Sequence, residues 1–271
     1  MPPPPQRPVE VRARAKLTRT LRVVGRRDDG YHLLDAEMVS LDLADGLVIV
    51  PAETSRLEIR DEIAWSAGSG ERAPVPGGPE NLVLAALRLA GREAAVTLTK
   101  RIPPGSGLGG GSADAAAVLR WAGVDAPDVA VRLGADVPFC LRGGRARVGG
   151  VGDRLTPLAP VALHVVVCIP ALAVSTAAVY RAFDDPATPR ARGVNDLEPA
   201  ALAVEPRLAR WRDAVAEAAG RAPSLAGSGA TWFVECAPGE VSWLEAEIAA
   251  SVRATGLSAV VTACRSEGAL V

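Results

Sequence analysis

From position 9 to position 23 apolar and polar residues take turns. Val9, Val11, Ala13, Ala15, Leu17, Leu21 and Val23 fall on one side, and Glu10, Arg12, Arg14, Lys16, Thr18, Thr20 and Arg22 on the other. A period of two predicts a half-exposed strand. Lys16 then lies on its polar face between Arg14 and Thr18, where neighbouring positive charge lowers an amine's pKa and attracts a polyanion. The turn cluster Gly25-Arg-Arg-Asp-Asp-Gly30 follows, then a strand from Tyr31-His32 to about residue 43 and short strands over 46–51 and 56–60. The Gly- and Pro-rich stretch 66–79 reads as a loop able to reach over a site. Next come a helix over 81–89, a strand over 94–102, a glycine-dense stretch, a helix to about residue 121 and a shorter one over 128–133. Gly134-Ala-Asp136-Val-Pro138-Phe139 breaks the chain, and 143–154 reads as a tight β-turn region near a domain seam. The remainder predicts a strand (164–169), helices (175–183 and 197–219), a small-residue turn (226–230), a strand to 236, a helix (240–255) and a last strand (258–264). Strands separated by helices, often in pairs and without a sequence repeat, indicate an α+β fold with a sheet packed by helices in each half.

Composition narrows the class. A chain of 271 residues, 49% hydrophobic, has ample material for a full core. A net charge of −1 gives no case for nucleic acid or a membrane surface as partner. No apolar run approaches the roughly 20 residues of a membrane span, and MPPPPQRPVE lacks the apolar stretch of a signal peptide, so a cytoplasmic protein is expected. Residues 1–8 are expected to be disordered or extended. Cys140, Cys168, Cys236 and Cys264 lie far apart with no metal-ligand spacing, as buried residues of a reducing compartment would. Of 30 basic residues only Lys16 and Lys100 are lysine. Lysine differs from arginine in offering a compact point charge with a tunable proton affinity.

The strongest chemical signal is RIPPGSGLGGGSADAAAVLR, residues 101–120. Gly105, Gly107, Gly109, Gly110 and Gly111 carry no Cβ, so the main chain can take positive φ and approach a ligand. The helix that follows adds unpaired first-turn amides and the positive end of its dipole, and Ser112 adds a hydroxyl. Together these read as a nucleotide triphosphate cradle. No lysine follows in the GxxxxGK[ST] pattern, which argues against a P-loop. Gly105 to Gly110 does match GxGxxG, with Asp125 about 20 residues on, so a dinucleotide-binding dehydrogenase is the runner-up, weakened by Pro103-Pro104 ahead of the glycines.

A strand lysine, the PPGSGLGGGSADAAA loop, an aspartate in GADVPF and a late AGSGA turn stand in an order that resembles the GHMP kinase superfamily. The resemblance implies a two-domain GHMP kinase fold, with an ATP-binding domain over 1–157 and a C-terminal domain over 158–271. It narrows at Ala15-Lys16-Leu17, Gly25 to His32, Gly134 to Phe139, Gly152-Asp153 and Asn195 to Glu198. These are similar to the members that transfer the γ-phosphoryl of ATP to the 2-hydroxyl of a cytidine-diphosphate methylerythritol in non-mevalonate isoprenoid precursor synthesis.

Implied roles follow by position. Asp136 is the base, and Lys16 its charged partner, which keeps the carboxylate ionised. Pro104, Gly105, Ser106, Gly107, Leu108, Gly109, Gly110, Gly111 and Ser112 hold the ATP phosphates, with Asn81 also on the nucleotide and Ser112 near Mg2+. The ion itself is bridged largely by ATP oxygens and water. Tyr31 and His32 lie against the cytosine, Tyr180 closes an aromatic sandwich, and Thr18, Gly227 and Ser228 complete the substrate site. Thr18 departs from the family's AKINL pattern, which has asparagine there. A hydroxyl reaches less far than an amide, so contact with the polyol is expected to be weaker, water-mediated or supplied elsewhere.

Local readings stand beside these. Asp136 can cap a short helix, Lys16 can be a solvated strand residue, Tyr31-His32 can pack a strand edge, and Asn195-Asp196 can be a cap. Asp114 is either a further polar contact or a first-turn dipole residue. Another GHMP small-molecule kinase, of mevalonate or homoserine type, is the alternative function, and a nucleotide-binding regulator without chemistry the third. The expected partner is a small molecule, with the chain a monomer or weak homodimer.

Overall fold

The alternation over 9–23 folds into the first strand of a long hairpin. In the computed structural model, which describes residues 7–189, 191 and 193–270, β1 (Val9–Arg26) pairs antiparallel with β2 (His32–Pro51). The disorder expected of the N-terminus falls mainly on residues 1–6, outside the described residues. Register shifts at Arg14/Lys16, Thr18/Thr20 and Val23/Gly25 bend β1 and re-aim its side chains. Ala15, Lys16, Leu17 and Thr18 are consecutively buried, so the half-exposed face expected at Lys16 is covered instead. β2 continues through Asp45-Gly46 rather than dividing there. Gly46 pairs with Arg12 on one side and Thr99 on the other, and ladders on both edges outweigh a glycine's preference to turn.

The rest of the N-terminal half comprises β3 (Arg56–Asp61), α1 (Leu82–Ala90), β4 (Ala94–Lys100), α2 (Gly110–Trp121), α3 (Pro127–Ala130), α4 (Val137–Arg142), β5 (Arg145–Gly150) and β6 (Arg154–Pro157). Two of these depart from expectation. Pro138 does not break the chain but stands in the first turn of α4, where its missing N–H costs nothing. The 143–154 stretch is a hairpin, β5–β6, whose glycines sit at its ends while Arg145 to Val148 alternate.

The C-terminal half comprises β7 (His164–Pro170), α5 (Thr176–Asp184), α6 (Glu198–Val204), α7 (Leu208–Ala219), β8 (Ser224–Leu225), β9 (Trp232–Cys236), α8 (Val241–Ala254) and β10 (Ala259–Glu267). The single helix expected over 197–219 is two. Pro206 lacks an amide and forces Glu205 out of helical geometry, to φ −135° and ψ 83°. Strand order is β3-β4-β2-β10-β7-β9-β8, with β1 and β5 also on β2. The two halves share this sheet where Ser266 and Glu267 of β10 meet Leu41 and Ser40 of β2. The 66–79 loop bridges the two halves: Ser66 N–H donates to Ala259 O (3.0 Å) and Glu71 N–H to Ala171 O (2.6 Å), while Pro76 O and Pro79 O accept from Asn81 and Arg88 at α1 (2.7 Å each).

Among the described strands β3–β4 is the one parallel pair, which removes the parallel sheet a dinucleotide-binding reading needs. α2 packs on β1, and its Ala113, Ala115, Ala116 and Ala117 are all buried; such small side chains let the helix approach its neighbours closely, among them the strand carrying Lys16.

Arginine pairs reinforce the sheet. Arg145 grips Glu37 with two hydrogen bonds (2.9 and 3.1 Å), and Arg19 pairs with Glu37 and, across the halves, with Glu235 at 2.8 and 2.9 Å. Arg145's hydrogen bond, ahead of Arg19's, holds the Glu37 carboxyl below the ordinary carboxylate range. A depressed carboxylate contributes stability above its unfolded pKa and loses it as pH falls through the folded value. Glu37→Gln should therefore cost about 1–3 kcal/mol in urea unfolding at pH 7. The gap to the parent should shrink below about pH 4; a gap constant with pH would contradict the ionised pairing.

Candidate active site

α2 differs from α1 and α5 in how it begins. Asn81 caps α1 by accepting from Val83 N, and Ser175 caps α5 by accepting from Ala178 N, whereas α2 starts from Gly109 with no side-chain cap. The first backbone hydrogen bond of α2 runs from Ala113 N–H to Gly109 O at 2.8 Å. The amides of Gly110, Gly111 and Ser112 are thus left for a ligand. Gly107 and Gly109 hold φ of +80° and +69°. A Cβ on Gly107 would lie 2.5 Å from the Gly229 carbonyl oxygen, and one on Gly109 2.8 Å from Lys16 Cγ. The two glycine turns therefore press together, with Lys16 laid against the loop.

The loop is not uniformly open. Ser106 and Leu108 are buried; Leu108 N–H goes to Ser106 Oγ (3.3 Å) and Leu108 O accepts from Lys16 N–H (2.9 Å). Both Leu108 main-chain groups are spent and its side chain packs in the core, so it supports the cradle from behind. Asn81 shapes the start of α1: its amide donates to Pro76 O (2.7 Å) while its oxygen caps the helix (2.8 Å). Pro104 and Gly105, at the start of the loop, and Gly109, Gly110 and Gly111 do not line the cleft described next.

A cleft of about 720 Å³ unites most of the other expected residues: Lys16, Thr18, Gly107, Ser112, Asp136 and Gly227 together with Tyr31, His32 and Tyr180, with Ser228 also on its wall. Lys16 Nζ stands 3.3 Å from Asp136 Oδ2 and donates to Thr18 Oγ1 at 3.2 Å. Asp136 occupies the position just ahead of α4 but makes no capping hydrogen bond, and its side chain is 33% exposed. Of the two readings of Asp136, base and helix cap, the cap is the one these contacts disfavour. Within the cleft, an ammonium beside a partly exposed carboxylate, next to free amides, can hold an alcohol between a proton acceptor and an anion.

In the same cleft His32 stacks on Tyr180 with centroids 4.8 Å apart and planes 23° from parallel, and meets Phe183 edge-on at 6.0 Å. Tyr31, by contrast, is 65% exposed at the cleft wall. Burial pushes the Tyr180 phenol up to about 12, with the Asp136 charge adding to it.

Asp184 and Thr176, which the sequence does not single out, organise this site together with Asn195, which reads there as a motif residue and a possible cap. Asp184 holds His32 Nε2 at 2.7 Å from 152 residues away. Thr176 Oγ1 meets Ser228 Oγ at 2.8 Å. Asn195 is buried and donates to Leu225 O (2.8 Å) and Gly227 O (2.7 Å), so it fixes the late glycine turn besides capping toward Leu197 N–H (2.9 Å). Only Asn195 carried a local signal, its place before Asp196-Leu197.

A cradle of uncapped helix amides beside a second glycine turn matches a known class: the model of the GHMP kinases N terminal domain fits residues 81–144. The 4-diphosphocytidyl-2-C-methyl-D-erythritol kinase of Ruegeria pomeroyi is 41% identical over 253 residues, 83% of this chain and 88% of its own length. That of Paracoccus denitrificans is 43% identical over 242 residues, 82% and 84% respectively. The crystal structure of a 4-(cytidine 5'-diphospho)-2C-methyl-D-erythritol kinase is similar at a TM-score of 0.72 and 34% identity, covering 96% of this chain and all of that one. A homoserine kinase from Cytophaga hutchinsonii, at 17% identity and a TM-score of 0.65, shares the fold alone. The chain belongs to the 4-diphosphocytidyl-2-C-methyl-D-erythritol kinase family of the GHMP kinases.

Proposed function

We propose that this protein transfers the γ-phosphoryl of ATP to the 2-hydroxyl of 4-diphosphocytidyl-2-C-methyl-D-erythritol, within the non-mevalonate route to isoprenoid precursors. The observation that carries the reading is the Lys16–Asp136 pair, at 3.3 Å, in one cleft with Gly107 and Ser112 of the amide cradle and the Tyr31–His32 corner. Asp136 takes the hydroxyl proton as that oxygen bonds to the γ-phosphorus and the bond to ADP breaks. Lys16 orients the carboxylate and offsets charge on the transferring group, while Gly107 and the amides of 110–112 hold the phosphates in line. Thr18, fixed by Lys16, offers its hydroxyl near the acceptor. Tyr31 gives the cytosine an open face, and the His32–Tyr180 stack, held by Asp184, forms a rigid wall for it.

Mg2+ belongs to this reading as an ion carried by the triphosphate, where it neutralises phosphate charge. The donor set fits that role: among the described residues no three His, Cys, Asp or Glu side chains form a metal-binding group, and the Ser112 hydroxyl faces the cleft with no partner of its own. We place the ATP-binding part in residues 1–157 and the closing lobe in 158–271. No described helix is long and apolar enough to cross a membrane, in keeping with a cytoplasmic enzyme.

The test is turnover with ATP and magnesium against a panel of alcohols. Product should form with the cytidine diphosphate compound and not with mevalonate or homoserine. Equal turnover of the nucleobase-free alcohols would overturn the assignment, because such acceptors have no use for the Tyr31–His32 corner.

A further inference from the structure

The chain's second lysine lies outside the cleft. Lys100, at the end of β4, is 3% exposed; its Nζ pairs with Asp45 of β2 and donates to Asp114 Oδ2 of α2 at 2.8 Å. Asp45 Oδ1 in turn accepts from Arg101 N–H (2.6 Å) and Ile102 N–H (2.8 Å), the residues that lead into the glycine loop. Asp114 stands in the helix that the loop enters, is 4% exposed, and its Oδ1 has no partner. One buried cluster thus grips the phosphate loop at both ends. It also lies directly beneath the open amides, since a Cβ on Gly110 would come within 3.2 Å of Lys100 Nζ.

From this arrangement we propose that Lys100 is a positioning residue for ATP, tying Asp45 to Asp114 so that the amides of 110–112 keep the geometry that receives the triphosphate. The role rests on the reading of that loop as the ATP cradle. Residue choice supports it. Twenty-eight of the 30 basic residues are arginine, yet this position holds lysine, whose compact head fits beneath Gly110 where a planar guanidinium does not. Asp114 and Asp45 hold the Lys100 ammonium above its ordinary pKa although burial alone would lower it, while burial, with the Asp45 charge adding to it, pushes the Asp114 carboxyl up to about 7, so the pair is fully ionic only above that pH.

Two variants separate positioning from simple stability. Lys100→Met with Asp114→Leu removes one positive and one negative charge, leaves the net charge beneath the loop unchanged, and replaces a buried ion pair by apolar groups of similar volume, a change that folds commonly tolerate. Asp45 keeps its two amide donors. Calorimetric titration with a non-hydrolysable ATP analogue should show Kd rising about tenfold, as loss of alignment does. The Kd of the cytidine diphosphate alcohol should stay within about twofold. Lys100→Arg keeps the charge but displaces the first turn of α2. It should weaken the analogue similarly at a temperature where it stays folded, overpacking lowering its melting temperature, and it decides the question if the double variant does not fold. Parent-like analogue affinity in a folded variant would overturn the role. A parent protein that binds no analogue would remove the cradle reading, and this role with it.

Discussion

Asp136→Asn should fold and bind nucleotide as the parent does yet lose phosphoryl transfer by about 10²–10⁴-fold, the range of a positioned general base. The substitution is nearly isosteric, and Asp136 makes no capping hydrogen bond for α4 to lose. What disappears is an acceptor for the alcohol's proton, next to an ammonium at 3.3 Å. An amide presents donors where the carboxylate presented only lone pairs, so Lys16 turns from partner to competitor for the remaining oxygen. Initial-rate kinetics should record the loss in kcat with KM for ATP little changed. Parent-like turnover would show that the proton leaves by another route.

Gly107→Ala is the second large effect, and it acts through shape. At φ +80° an alanine carries the strain of left-handed backbone, about 1–2 kcal/mol. Its methyl also meets the carbonyl oxygens of Gly229 at 2.5 Å and Ala226 at 2.9 Å, backbone atoms that cannot swing away as a side chain would. Overpacking of this kind adds about 1–3 kcal/mol. The protein should therefore unfold at distinctly lower urea, and the two glycine turns should part enough to raise KM for ATP at least about tenfold. Gly91→Ala supplies the control. It has φ +60° with nothing within 4 Å of an added Cβ, so it incurs the strain without the clash. KM for ATP should not move in that variant; if Gly107→Ala behaved the same way, the packing of the turns would be irrelevant to the cradle.

Both effects involve residues legible in the sequence, and the reason is chemical. A loop that presents amides must be written in glycines, and a base with a charged partner must be written in Asp and Lys, so Gly107, Lys16 and Asp136 stand out before any fold is known. Strand β1, the first part of β2 and helices α1, α2 and α5 were equally readable, from alternation, turn residues and runs of helix formers. Less visible were features made by distance or by local rivals. Asp184 reaches His32 across 152 residues, and the His32–Tyr180 stack exists only because α5 lies against the start of β2. The β5–β6 hairpin hid behind its own glycines, and the break between α6 and α7 hid behind an otherwise continuous helical composition until Pro206 is given its steric weight. The burial of Lys16 had no local sign either, because the faces that cover it, α2 and the late glycine turn, come from far along the chain.

The central claim is that free amides near Gly107 hold a triphosphate while the Asp136 carboxylate receives the acceptor's proton. A crystal structure with a non-hydrolysable ATP analogue and the cytidine diphosphate alcohol tests it most directly. The account predicts the γ-phosphate on the amides of 110–112 and the 2-hydroxyl within about 3.2 Å of an Asp136 oxygen, the reach a base requires. An alcohol bound beyond that reach, or phosphates seated away from the loop, would contradict it.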